Sequence, residues 1–161
     1  MVTTMIRHFA LPLFVLVVAA CSDNTTTDSE ADEAAIRNLF ARYDVAYANE
    51  DLDGWLALLT KDVYWAAPNQ PALIGQDAVL GRFGSMFRSF NMTSSHPLGE
   101  VRIADGWGVV SATYEVSLEL KAGGDPPYHE FGKVIYVVER GDDGHWRIAK
   151  AVWNTDHEGA F

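Results

Sequence analysis

Residues 128–156, YHEFGKVIYVVERGDDGHWRIAKAVWNTD, constrain this chain more than any other stretch. Two runs rich in β-branched and aromatic residues flank Gly141-Asp142-Asp143-Gly144, a composition that turns one strand back on another. With Glu139 opposite Trp146, Gly132 faces Trp153, Val134 faces Ala151 and Tyr136 faces Ala149. One face then carries Glu130, Gly132, Val134 and Tyr136 with Ala149, Ala151, Trp153 and Thr155. The other carries His129, Phe131, Ile135 and Val137 with Trp146, Ile148, Lys150, Val152, Asn154 and Asp156. Neither alternates cleanly with a polar set, so both faces are expected to be covered. Two alanines and a glycine leave space before the first face, as a cavity wall or a close-packed helix requires. A one-residue bulge would exchange the faces, because side chains alternate with period two.

The chain starts differently. Arg7 precedes the apolar run Phe9–Val18, and Ala19-Ala20-Cys21 follows. A basic start, a short apolar run and small residues read as a secretory signal over residues 1–20, beginning at Met1 or Met5. Val18-Ala19-Ala20-Cys21 resembles a bacterial lipobox, which implies lipidation of Cys21, the only cysteine of the chain. Ser22 after that cysteine fits the outer membrane, with the protein facing the periplasm. Residues 21–28 then form the lipidated end and a polar tether, and 29–161 one domain. A formal net charge of −10 lacks the basic footprint of a nucleic-acid binder. It also repels anionic headgroups, leaving a lipid on Cys21 as the only membrane contact.

Asp28 or Ser29 can cap a helix on which Ile36, Leu39, Phe40, Tyr43, Ala46 and Tyr47 share a stripe. A short helix from Asp51 presents Leu52, Trp55, Leu56 and Leu59, and Val63–Ala67 is a strand stopped by Pro68. A third helix from near Gly75 shows Val79, Phe83, Met86, Phe87 and Phe90, with Gly81 and Gly84 for close packing. From His96 the pattern turns to period two: Val101 and Ile103, the turn signal Asp105-Gly106, then the alternating run Val110–Leu120. Helices grouped before a meander give an α+β fold, a curved sheet wrapped around helices.

Three pieces now carry a resemblance: Tyr43 through Asp51-Leu52-Asp53 to Asp62-Val63-Tyr64-Trp65 and Pro68; Leu73-Ile74-Gly75-Gln76-Asp77-Ala78-Val79; and Gly132–Ile135 with Asp143–Ile148 and Trp153–Asp156. In that order they resemble the nuclear transport factor 2-like superfamily, with its SnoaL-like cyclases and ketosteroid isomerase. The resemblance implies a cone-shaped half-barrel of curved, mostly antiparallel sheet, three N-terminal helices on its concave side and a pocket running into the cone. It also implies a homodimer through the outer sheet face. In ketosteroid isomerase a first-helix tyrosine and a protonated acid on a late strand polarise the carbonyl, while an aspartate before a proline is the base. Tyr43 falls on the tyrosine position, Tyr136 at or near the second donor, and Ala67 on the base position. The acid of SnoaL-like cyclases on the last strand becomes Trp153. Alanine moves no protons.

Glu130 is the only carboxylate on the inner face of the hairpin, either a proton carrier or a rim glutamate in water. Tyr43 and Tyr47 read as ligand donors or as core tyrosines. Trp65, Ala67, Tyr114, Ala149, Ala151 and Trp153 would line an apolar cavity, or fill it. His129 falls opposite Asp156 as an outer-face ion pair. His96, His145 and His157 lack a metal-gathering spacing, and neither a metal nor a cofactor is implied. The leading reading is an envelope-anchored module binding a small, largely apolar molecule through Tyr43 and Tyr47. Its alternatives are an isomerase, cyclase or dehydratase using Tyr43, Tyr136 and Glu130, and a dimeric scaffold with a filled cone.

Overall fold

Ile36, Leu39, Phe40, Tyr43, Ala46 and Tyr47 recur every three or four residues, and all are buried along one side of α1 (Asn24–Ala48). The computed structural model describes residues 24–156, with side chains from residue 29. The expected signal segment, Cys21 and His157 lie outside the described residues. The helix already runs at Asn24, inside the stretch expected as a tether, so Asp28 and Ser29 are helical residues rather than its cap. No described helix is long and apolar enough to cross a membrane.

Asp51 caps α2 (Leu52–Leu56), its Oδ1 accepting from the Gly54 N–H at 2.8 Å. Leu59, expected on this helix, instead opens β1 (Leu59–Ala66). β2 (Leu73–Ile74) pairs antiparallel with β1, and α3 (Gln76–Ser89) follows. The Gln76 amide donates to the carbonyls of Leu56 and Leu59, both at 3.0 Å, and ties the start of α3 to the α2–β1 corner. Phe90 ends the helix and begins β3 (Phe90–Ser95), a strand with little period-two signal. Asn91, Thr93, Ser94 and Ser95 are poor helix formers whose side chains compete with the backbone, so the chain leaves the helix and takes the ladder offered by Glu115–Leu120.

β4 (Leu98–Ala104) turns into β5 (Trp107–Leu120) at Asp105 and Gly106, both at positive φ, the conformation of a two-residue hairpin loop. β6 (Tyr128–Arg140) and β7 (Trp146–Thr155) complete the sheet. Strand order is β2-β1-β7-β6-β5-β3, with β4 beside the first half of β5 and β3 beside the second. Every pairing is antiparallel except β1 with β7. The result is α+β: a curved, unclosed, mostly antiparallel sheet with its helices from the N-terminal half.

The final hairpin forms in a different register from the one its turn suggested. Gly132 faces Thr155, Val134 faces Trp153 and Tyr136 faces Ala151. A two-residue slip keeps these side chains on the expected faces, but a bulge between Val137 and Val138 does not. Ala149 is the extra residue. Beyond it Trp146 and Ile148, expected outside, turn into the core, where Ile148 is wholly buried. The same slip moves Asp156 off His129: its backbone N–H donates to the Phe131 carbonyl, and its carboxylate accepts from Lys133 at 2.6 Å. Gly132 does not open space either, because a Cβ there would meet the Asn154 carbonyl oxygen at 2.0 Å.

Candidate acid–base cavity

α1 and α3 stand off the sheet between Trp65 and Trp153 on one side and Tyr114 and Tyr136 on another, enclosing a cavity of about 680 Å³. Trp65 and Trp153 meet edge to face, centroids 5.7 Å apart, and make a wall rather than a plug. Small side chains at Ala67 and Ala151 hold the space open. The closed end is built from buried residues, Tyr43, Tyr47, Tyr136 and His96; the open end has Asn69, Gln70, Arg82 and Tyr128, all exposed.

His96 lies between β3 and β4, and its side chain is only 4% exposed. Its Nδ1 sits 2.6 Å from Asp44 Oδ1. Asp44 is one step along α1 from Tyr43 and so points away from the cavity toward β3. There it also accepts from the Ser94 hydroxyl at 2.6 Å and the His96 backbone N–H at 3.2 Å. Burial alone would raise this carboxyl, but the hydrogen bonds from His96 and Ser94 and the charge of His96 outweigh it, so Asp44 titrates below an ordinary aspartate. An ionised carboxylate only accepts, so Nδ1 is the donor in this contact, and whenever the ring is neutral its lone pair lies on Nε2. Among the described residues no protein group bonds to Nε2, and the ring lines the cavity.

Aromatic rings fix the imidazole. Tyr43 packs edge-on at 4.8 Å, Tyr136 at 6.0 Å, and Tyr114 lies near-parallel at 6.5 Å. Tyr43 stacks in turn on Tyr47 at 5.1 Å. Burial, then the neighbouring phenols, push Tyr43 well above the usual tyrosine range; burial does the same for Tyr136. Both phenols therefore stay protonated beside His96, and Tyr43 is raised further by its hydrogen bond to Tyr47. Toward the mouth, Glu130 accepts from Tyr114 at 2.7 Å and from Tyr128 at 3.0 Å.

Tyr43, Tyr47, Trp65, Ala67, Tyr114, Glu130, Tyr136, Ala151 and Trp153, named from sequence, all line this one cavity. Ala149 does not, since the bulge withdraws it. Metal-ligand spacing does not single out His96. The available signal was Asp44, a carboxylate beside the apolar stripe of α1, with serine and histidine alternating at Ser94 and His96. The base position at Ala67 is empty of chemistry, and the titratable group faces the cavity from another connection.

A helix-backed curved sheet around a cavity that opens at one end is the architecture of the nuclear transport factor 2-like superfamily. Within it, this chain belongs to the SnoaL-like domain family, whose sequence profile matches residues 28–152. A conserved protein from Planctomyces limnophilus superposes with a TM-score of 0.72 at 20% identity, over 79% of this chain and 99% of its own. A ketosteroid isomerase-like protein from Erwinia carotovora gives 0.66 at 21%, over 77% and 95%. A Novosphingobium aromaticivorans protein provisionally named a scytalone dehydratase gives 0.70 at 18%, over 82% and 89%. At these identities the likeness is one of fold. No curated protein matches the sequence.

Proposed function

We propose that this SnoaL-like domain is an acid–base enzyme acting on a small, largely apolar carbonyl compound by isomerisation or dehydration. The observation that carries the reading is the buried His96, held through Nδ1 by Asp44 with its ring on the cavity wall. Nε2 takes a proton from the carbon next to the carbonyl; that C–H pair moves onto the carbonyl oxygen as an enolate. Tyr43 and Tyr136 donate to the oxygen as charge develops, and Asp44 stabilises the imidazolium. The imidazolium then returns the proton. Delivered to a distal carbon it completes an isomerisation; delivered to a β-hydroxyl it breaks the C–O bond and releases water. Ligand capture without chemistry, favoured by the sequence alone, becomes the first half of this cycle. The hollow cavity weighs against a filled-cone scaffold.

The test is turnover of β,γ-unsaturated cyclic ketones and β-hydroxyketones by wild type and His96→Gln. A general base contributes roughly 10²–10⁴-fold, so kcat should fall by that factor while the variant still binds the ketones. Equal turnover by both proteins would reject the assignment. In the same reading the protein is a lipid-anchored envelope protein, dimeric through its outer sheet face. Membrane fractionation of Cys21→Ser checks the anchor, and retention of that variant with membranes would refute it.

A further inference from the structure

Among the described residues Glu130 is the only carboxylate lining the cavity, and its surroundings are unusual for a glutamate near an open rim. Each oxygen accepts one phenol: Oε1 from Tyr114 and Oε2 from Tyr128. Tyr114 is itself 5% exposed, and its hydroxyl also lies 3.3 Å from the Thr155 hydroxyl. The carboxylate is thereby pinned in one orientation from two strands, β5 and β6. No cation pairs with it among the described residues, although six lysines and arginines find carboxylates elsewhere on the molecule. A carboxylate offers about four lone-pair sites, and the two phenols use two of them. What remains is a rigid, charged acceptor on the cavity wall.

The opposite end has the reverse polarity. Tyr43 and Tyr136 are donors, so they take an acceptor such as a carbonyl oxygen. Between the two ends the walls are Trp65, Phe83, Val116 and Trp153, flat apolar surfaces among which the buried Nε1–H of Trp65 is a donor without a partner among the described residues. The cavity therefore reads a molecule by direction, acceptor inward and donor outward. We propose that Glu130 is a specificity-determining residue that selects cyclic ketones carrying a hydrogen-bond donor, a hydroxyl or amino group, on the end remote from the carbonyl. This rests on the acid–base reading for which way the carbonyl points. The raised titration of Tyr114, from burial and then from its hydrogen bond to Glu130, keeps the proton on the phenol as donor and leaves the acceptor role to Glu130. An acceptor left without its donor on binding is desolvated for nothing, and such sites discriminate strongly against analogues lacking the group.

The probes are α-tetralone and its analogue hydroxylated para to the ring carbon that bears the carbonyl. Binding is read by tryptophan fluorescence, which Trp65 and Trp153 report without any need for turnover. Wild type should bind the hydroxylated ketone at least about tenfold more tightly than the parent. In Glu130→Gln and Glu130→Ala, with thermal unfolding confirming the fold, that ratio should collapse toward one. A wild-type ratio near one, a ratio unchanged in both variants, or no binding of either ketone would overturn the proposal. The tetralones carry no group to isomerise or expel, so turnover of the β-hydroxyketones by wild type and His96→Gln separates the two readings. A collapsed ratio with no turnover supports Glu130 and rejects the enzyme; His96-dependent turnover with a ratio near one does the reverse.

Discussion

Asp44 contributes only through the groups it holds, so replacing it isolates the effect of orientation on the imidazole. An amide at Asp44→Asn can donate to Nδ1 and favours the tautomer with its proton on Nε2, which removes the base without emptying the cavity. Activity on a turned-over ketone should fall about 10²-fold or more, with KM little altered. The same carboxyl is held lower in the fold than in the unfolded chain. Its contribution to stability is therefore complete above the ordinary aspartate value of about 4 and is lost as pH falls through the lower folded value. Urea unfolding of wild type should weaken across that acidic window, and Asp44→Asn should flatten the slope; an unchanged slope would count against the hydrogen-bonded pair. Gly132 gives a second test. Alanine there meets the Asn154 carbonyl head-on, so Gly132→Ala should destabilise by about 1–3 kcal/mol or more in denaturant unfolding. The sequence displayed most of the cavity lining because tyrosines and tryptophans at helical and strand spacing are conspicuous. It hid His96, since a histidine before Pro97 in a connection has no periodicity, and its meaning lies in a carboxylate 52 residues earlier.

Among the elements, the long helices and the last four strands were legible because each keeps one period over many residues. β3 was not. Its polar residues carry no pattern of their own, and it is a strand because β5 extends far enough to pair with it. The face assignment of β7 failed for a related reason: one additional residue, Ala149, has no compositional mark, yet it reverses everything from Ile148 back to Trp146. Helix α3 supplies a prediction of opposite sign. The two glycines expected to bring it close to its neighbours do not behave alike. Gly84 is buried, with Leu52 and Leu80 within ordinary contact of where a Cβ would sit, whereas Gly81 has nothing within 4 Å. Gly81→Ala should therefore raise stability by roughly 0.5–1 kcal/mol, the cost of glycine in a helix interior. A lower midpoint in thermal unfolding would show that the position has a neighbour after all.

At the scale of the molecule, the convex side of the sheet displays Val109, Phe131, Ile135 and Val152, each about half exposed, with Ile135 and Val152 directly paired. Exposed apolar groups on one sheet face suit an interaction surface, and a second copy is the proposed occupant. Ile135→Glu should convert a dimer into a monomer in sedimentation equilibrium while the cavity, on the other face, keeps its ligand affinity. A monomeric wild type would remove the dimer from the proposal. The hydrogen bonds that join Asp44 to Ser94 and His96 reach further than chemistry. They span a first helix and a connection that the chain reaches only after laying down three strands, so nothing shorter than the folded whole brings them together. Loss of turnover on gentle heating would thus register the helix lifting from the sheet, ahead of any spectroscopic sign that the sheet itself has melted.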